Sequence, residues 1–168
     1  MITLQSYQDA RIEALRRKYR PRLIYTLFVG ESAPANGTFF YDGNTLFTRH
    51  MQNAFDAAYG TSGDVPFLTR FKSFGWYLDD LVQTPVNEVK DRKDRKERCF
   101  AAREGLAGRI ADYRPRLVVS LARSIDDDVC AAAGNVPFCI MGFPGNGHQG
   151  KLLSDMVRMR DELPRACI

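Results

Sequence analysis

Short, near-continuous apolar runs alternate along this chain with stretches whose apolar residues recur every three or four positions. The first pattern fits strands buried on both faces, the second amphipathic helices. Residues 5–20 place Tyr7, Ile12, Leu15 and Tyr19 at helical spacing, with Arg11, Arg16, Arg17, Lys18 and Arg20 between them. That predicts a helix with a basic outer face, ended by Pro21. Leu23 to Val29 predicts a first strand. Asp42-Gly43 reads as a turn, and Asn44 or Thr45 is placed to cap a helix that turns Leu46, Phe47, Met51, Ala54, Phe55 and Ala58 inward. Phe67, Leu68, Phe71 and Phe74 predict a short apolar helical segment, and Gly75 opens a second strand from Trp76 to Val82.

Lys90 to Arg98 is the most charged stretch, with six basic and three acidic residues. It reads as a solvated helix face that leads into Cys99, Phe100, Leu106 and Ile110. Leu117 to Leu121 predicts a third strand and Phe138 to Met141 a fourth; between Leu121 and Val136 the pattern assigns no element. Phe143 to Gly150 is a glycine-rich loop, and Lys151 to Leu163 a last helix. Strands alternating with helices imply an α/β fold: a three-layer α/β/α sandwich around a short, mostly parallel sheet of four strands, in one domain over residues 1–168.

Composition narrows the setting. The chain has 168 residues, enough for a substantial core, and no apolar run approaches the roughly 20 residues of a membrane span. No basic-then-apolar leader opens it, so the expected location is cytoplasmic, with no membrane partner. Cys99, Cys130, Cys139 and Cys167 form no Cys-x-x-Cys pair, and no metal or cofactor is expected. The net charge of +4 permits a nucleic-acid partner without requiring one.

The densest candidate chemistry follows the first strand, in Gly30-Glu31-Ser32-Ala33-Pro34 and Phe39-Phe40-Tyr41. Open α/β sheets bind ligands beyond the carboxyl ends of their strands. There Glu31 could orient or deprotonate a water, and an aromatic face could stack on a base. A strand-to-helix turn followed by core aromatics would produce the same letters.

Several segments, in order, resemble the uracil-DNA glycosylase superfamily. Gly30-Glu31-Ser32-Ala33-Pro34 is similar to its Gly-Glu-Ala-Pro-Gly water-activating motif. Phe39 to Phe47 is similar to its aromatic-aromatic…Asn-x-Phe-Trp run. Trp76 to Val82 stands where the family has a strand with a base-reading Asn, Arg114 to Leu121 resembles its Pro-led third strand, and Phe143 to Gly150 stands at its intercalation loop. Together they span roughly residues 22–157. The chain departs in three ways: Asp80, or Asp79 by a one-place shift, stands for the Asn; Phe143-Pro144 replaces His-Pro-Ser, with His148 four residues beyond Pro144; and the cysteines of the family's iron–sulphur branch are absent.

The resemblance implies a monomeric, monofunctional DNA base-excision N-glycosylase acting on a flipped-out deaminated or damaged base, uracil-type or related. Glu31 would activate water, with His148 a second catalytic group. Phe39, Phe40, Tyr41 and Asp80 would hold the base. Ser32, Asn44, Gly145, Asn146, Gly147, Gln149 and Lys151 would contact DNA. No Lys or Cys in the first motif offers a covalent nucleophile. A catalytically silent nucleic-acid-binding module of the same fold, or a nucleoside- or nucleotide-acting enzyme, are the alternatives.

Overall fold

In a computed structural model, four parallel strands form one sheet in the order β2-β1-β3-β4: β1 Thr26–Gly30, β2 Trp76–Asp80, β3 Leu117–Ser120 and β4 Phe138–Ile140. The structure describes residues 4–145 and 147–167, with side chains from Gln8 onward. The helices are α1 Leu4–Tyr19, α2 Leu46–Tyr59, α3 Phe67–Ser73, α4 Arg92–Ala101, α5 Arg103–Tyr113, α6 Asp126–Ala133 and α7 Gln149–Arg158. Among the described residues, no helix is long and apolar enough to cross a membrane.

Strand residues alternate between the sheet's two faces. Phe28 and Trp76 project from one face, into Phe55 of α2 and Phe71 of α3. Tyr77 and Asp79 project from the other, where Tyr113 and Arg109 of α5 meet them. Helix α7 returns onto α2, and α6 onto α5. Helices therefore cover both faces, giving the expected three-layer α/β/α sandwich with an all-parallel sheet. β1, β2 and β3 are buried throughout, including the two carboxylates that end β2; β4 is half-exposed and ends at exposed Ile140.

Among the described residues, side chains close the outer edge of strand β2. The Tyr41 hydroxyl accepts from the Leu78 N–H (2.7 Å) and donates to the Leu78 carbonyl (3.0 Å). Two residues on, Asp79 Oδ1 accepts the Asp80 N–H, while Gln83 and Arg109 donate to the Asp80 carbonyl. An unprotected edge would leave these groups open to another chain.

Some boundaries differ from expectation. β1 begins at Thr26, and Leu23 lies exposed in the lead-in. The charged run and the apolar segment after it are two helices, broken at Ala102. Asp91 caps the first, accepting from the Lys93 and Asp94 N–H groups. Helix α6 fills the stretch that had no predicted element. It is short, with Asp126, Asp127 and Asp128 in its first turn, where carboxylates suit the helix dipole, and Val129, Ala132 and Ala133 inward. The last helix spans Gln149–Arg158, starting earlier and ending sooner than predicted. Arg16, expected on the basic outer face of α1, is buried.

Candidate functional site

Two adjoining cavities open at the carboxyl end of the sheet. The first, about 340 Å³, is lined by Gly30 to Pro34 after β1, Leu78 and Asp80 of β2, and the rings of Phe39, Phe40, Phe47 and Phe143. The second, about 620 Å³, lies over the ends of β3 and β4 and includes Arg123, Ser124, Asp126, His148 and Lys151. Glu31, Arg95 and Phe143 line both and mark the junction.

Local structure fixes the aromatic wall. A one-turn helix, Phe40–Asp42, carries Phe40 inward, and Asp42 accepts the Phe39 N–H at 2.8 Å. Arg11 of α1 pairs with the same carboxylate. Thr45, not Asn44, caps α2 by accepting from the Thr48 N–H (3.0 Å). Phe40 meets Tyr41, Phe47, Phe67 and Phe71 edge to face, so the wall is the outer layer of the core. Ser32 accepts the Val86 N–H, pinning the loop after β1 to the loop after β2.

Glu31 sits at the junction, its side chain 14% exposed, in a two-pronged pair with Arg95 of α4. Arg95 Nε reaches Oε1 at 3.0 Å and a terminal nitrogen reaches Oε2. The Ser124 hydroxyl lies 3.5 Å from Oε1. This fork fixes the carboxylate's orientation. The Cys99 thiol, 4.0 Å from Oε1, is pushed up to about 11 by burial and by the charges of Glu31 and Asp128, so it is a thiol at neutral pH.

Asp80 lies deeper, with its side chain 6% exposed. Arg16 of α1 donates to Oδ2 at 3.0 Å. Burial raises the Asp80 pKa to about 6, against the opposing pull of Arg16; neighbouring Asp79 adds to the rise. Oδ1 points across β1, and a Cβ on Gly30 would come within 2.9 Å of it. A glycine at the end of β1 therefore makes room for this carboxylate. Asp79 is spent on structure: it accepts from the Asp80 N–H, Gln83 and Arg109.

The other predicted site residues divide. Phe39 and Phe40 line the first cavity, with the Arg16 guanidinium 5.3 Å from the Phe39 ring centre. Tyr41 lines neither cavity; its ring is stacked between Tyr19 (5.3 Å) and Tyr77 (5.9 Å). His148 and Lys151 line the second cavity, and Lys151 is paired with Asp155 at 2.6 Å. Asn44, Gly147 and Gln149 are exposed and Gly145 half-exposed; none of the four lines either cavity. Asn146 lies outside the described residues.

Sequence reasoning passed over Arg95 and Arg16. Arg95 lies in the run read as solvated, yet precedes buried Cys99 by four positions, which puts both on one helix face. That spacing was a usable signal. Arg16 had none, because its partner is 64 residues away. Among the described residues, no group of three or more His, Cys, Asp or Glu is placed to hold a metal. No protein-family model matches the chain, and no curated protein matches it.

Proposed function

We propose that this protein is a DNA base-excision N-glycosylase, hydrolysing the N-glycosidic bond of a deaminated or damaged base. One observation carries the reading: an aromatic cavity of about 340 Å³ adjoins a larger one that holds Arg123, His148 and Lys151, and Glu31 stands where they meet. A flipped base would fill the first, with its sugar and phosphates along the second. The bond between base and sugar would then cross the junction, beside Glu31.

In that pose Glu31 orients a water toward the sugar carbon. The water oxygen bonds to that carbon and the C–N bond breaks. The electron pair leaves with the base, and Glu31 takes the water's proton. Arg95 keeps the carboxylate aimed. The basic groups of the second cavity favour phosphate.

Pure protein incubated with labelled oligonucleotides carrying uracil, hypoxanthine, xanthine, a mismatch or a damaged guanine, single- and double-stranded, followed by alkali, tests this. Excision that disappears in folded Glu31→Gln supports it. No excision of any base overturns it. DNA binding without excision would instead fit a silent base-binding module, which the occupation of both Glu31 oxygens by Arg95 favours as the second reading. Mononucleotide binding with no salt-sensitive DNA affinity would point to a nucleoside- or nucleotide-acting enzyme.

A further inference from the structure

The polar lining of the first cavity is unevenly occupied. Ser32 receives the Val86 N–H, Thr45 caps α2, and Thr38 donates to Asn36. Asn87 accepts the Ala35 N–H through Oδ1, which leaves its amide hydrogens. Glu31 stands out at the junction with the second cavity, each of its oxygens taking an N–H from Arg95. The deep acceptor that remains is Asp80. Oδ2 takes one N–H from Arg16 and keeps a second lone pair; Oδ1 receives no hydrogen bond among the described residues. Gly30 clears its flank.

An ionised carboxylate only accepts, so an entering ring must offer donors to it. Carbonyl oxygens placed there would meet negative charge, and two neighbouring N–H groups would meet two oxygens. We infer that the first cavity selects a guanine-type edge, a ring N–H beside an exocyclic amino group, as carried by a guanine modified elsewhere on its ring. This rests on the proposed base pocket and narrows its substrate class to a damaged base that keeps its amino group. Uracil and hypoxanthine lack that pair of donors.

Equilibrium binding of 2′-deoxyguanosine and 2′-deoxyinosine, which differ only by the 2-amino group, tests the inference without requiring catalysis. The expected result at neutral pH is about ten- to a hundredfold tighter binding of deoxyguanosine, the range for a hydrogen bond to a charged group. In Asp80→Asn, checked for folding by its circular dichroism, the ratio should collapse to a few-fold. Equal or tighter binding of deoxyinosine by the unmodified protein overturns the inference, as does failure of deoxyguanosine to bind at millimolar concentration. Excision of uracil or hypoxanthine that Glu31→Gln abolishes would keep the glycosylase and discard the guanine edge. Guanine-selective binding with no excision of any base would do the reverse.

Discussion

The Tyr41 hydroxyl and the Leu78 backbone form a closed pair, the phenol accepting one hydrogen bond and returning another at the outer edge of β2. The ring behind it continues a line of tyrosines, Tyr19, Tyr41, Tyr77 and Tyr113, which wraps that edge from α1 to α5. Burial among these rings and carboxylates raises the Tyr41 pKa well above its ordinary value, so the phenol stays protonated and can donate. Tyr41→Phe would leave a buried N–H and a buried carbonyl without partners. The expected loss is about 2–4 kcal/mol of unfolding free energy, read from urea denaturation, with nucleoside binding unchanged.

Asp80 gives stability a pH dependence of known sign. Its folded pKa, about 6, lies above its unfolded value near 3.8. The folded state therefore holds the extra proton between these values, and stability from this site is fully present below pH 4 and lost as pH rises through 6. Burial sets the shift; Arg16 and Arg109 oppose it and Asp79 adds to it. The unfolding free energy of the wild type minus that of Asp80→Asn should fall by about 2–3 kcal/mol between these limits. A difference that stays flat, or rises, contradicts the assignment.

Glu31 and Arg95 should behave as a unit in catalysis but not as equals. Glu31→Gln removes the group that takes the proton and should lower kcat by about a hundredfold or more. Arg95→Lys keeps the charge but cannot make the two-pronged contact, so it should retain part of the activity while Arg95→Gln loses more. Equal kcat in Arg95→Lys and wild type would show that the fork has no part in aiming the carboxylate. A thermal scan of each variant separates these effects from unfolding.

Gly30→Ala introduces a methyl group 2.9 Å from Asp80 Oδ1 inside a fully buried strand. The carboxylate must turn away or the strand must shift, costing about 1–3 kcal/mol. The selectivity between deoxyguanosine and deoxyinosine should fall with it, whereas Gly63→Ala, which meets nothing within 4 Å and lies outside the site's lining, should leave it intact. Retained selectivity in Gly30→Ala would separate the acceptor from the recognition.

Arg123 and Lys151, both exposed along the second cavity, should each contribute to DNA affinity through phosphate. Alanine at either should weaken binding across all sequences. It should also flatten the dependence of log affinity on log salt by about 0.7–0.9. An unchanged slope would remove that residue from the DNA path.

The alternation of apolar runs and amphipathic stretches carried the layers and the parallel sheet, because burial on both faces imposes near-continuous apolar strands. It did not carry α6, whose inward positions are few and small: Val129, Ala132 and Ala133. Glu31 was legible because it directly follows a strand. Its partner Arg95 was hidden by composition, one arginine among six basic residues, and only its phase relative to Cys99 sets it apart. Tyr41 shows the opposite problem. Three consecutive aromatics look equivalent as letters, but a backbone that exposes one edge of a strand decides which ring turns away from the cavity.

Asp79 and Asp80 are neighbours in sequence that point to opposite faces of β2, and each is held by an arginine from a different helix, Arg109 of α5 and Arg16 of α1. The dipeptide therefore acts as a pivot between the leading helix and the far layer. A shortened version of this protein starting at β1 would retain every strand and both cavity walls yet lose the cation that steadies Asp80. The binding unit of this fold therefore begins no later than α1, ahead of its first strand.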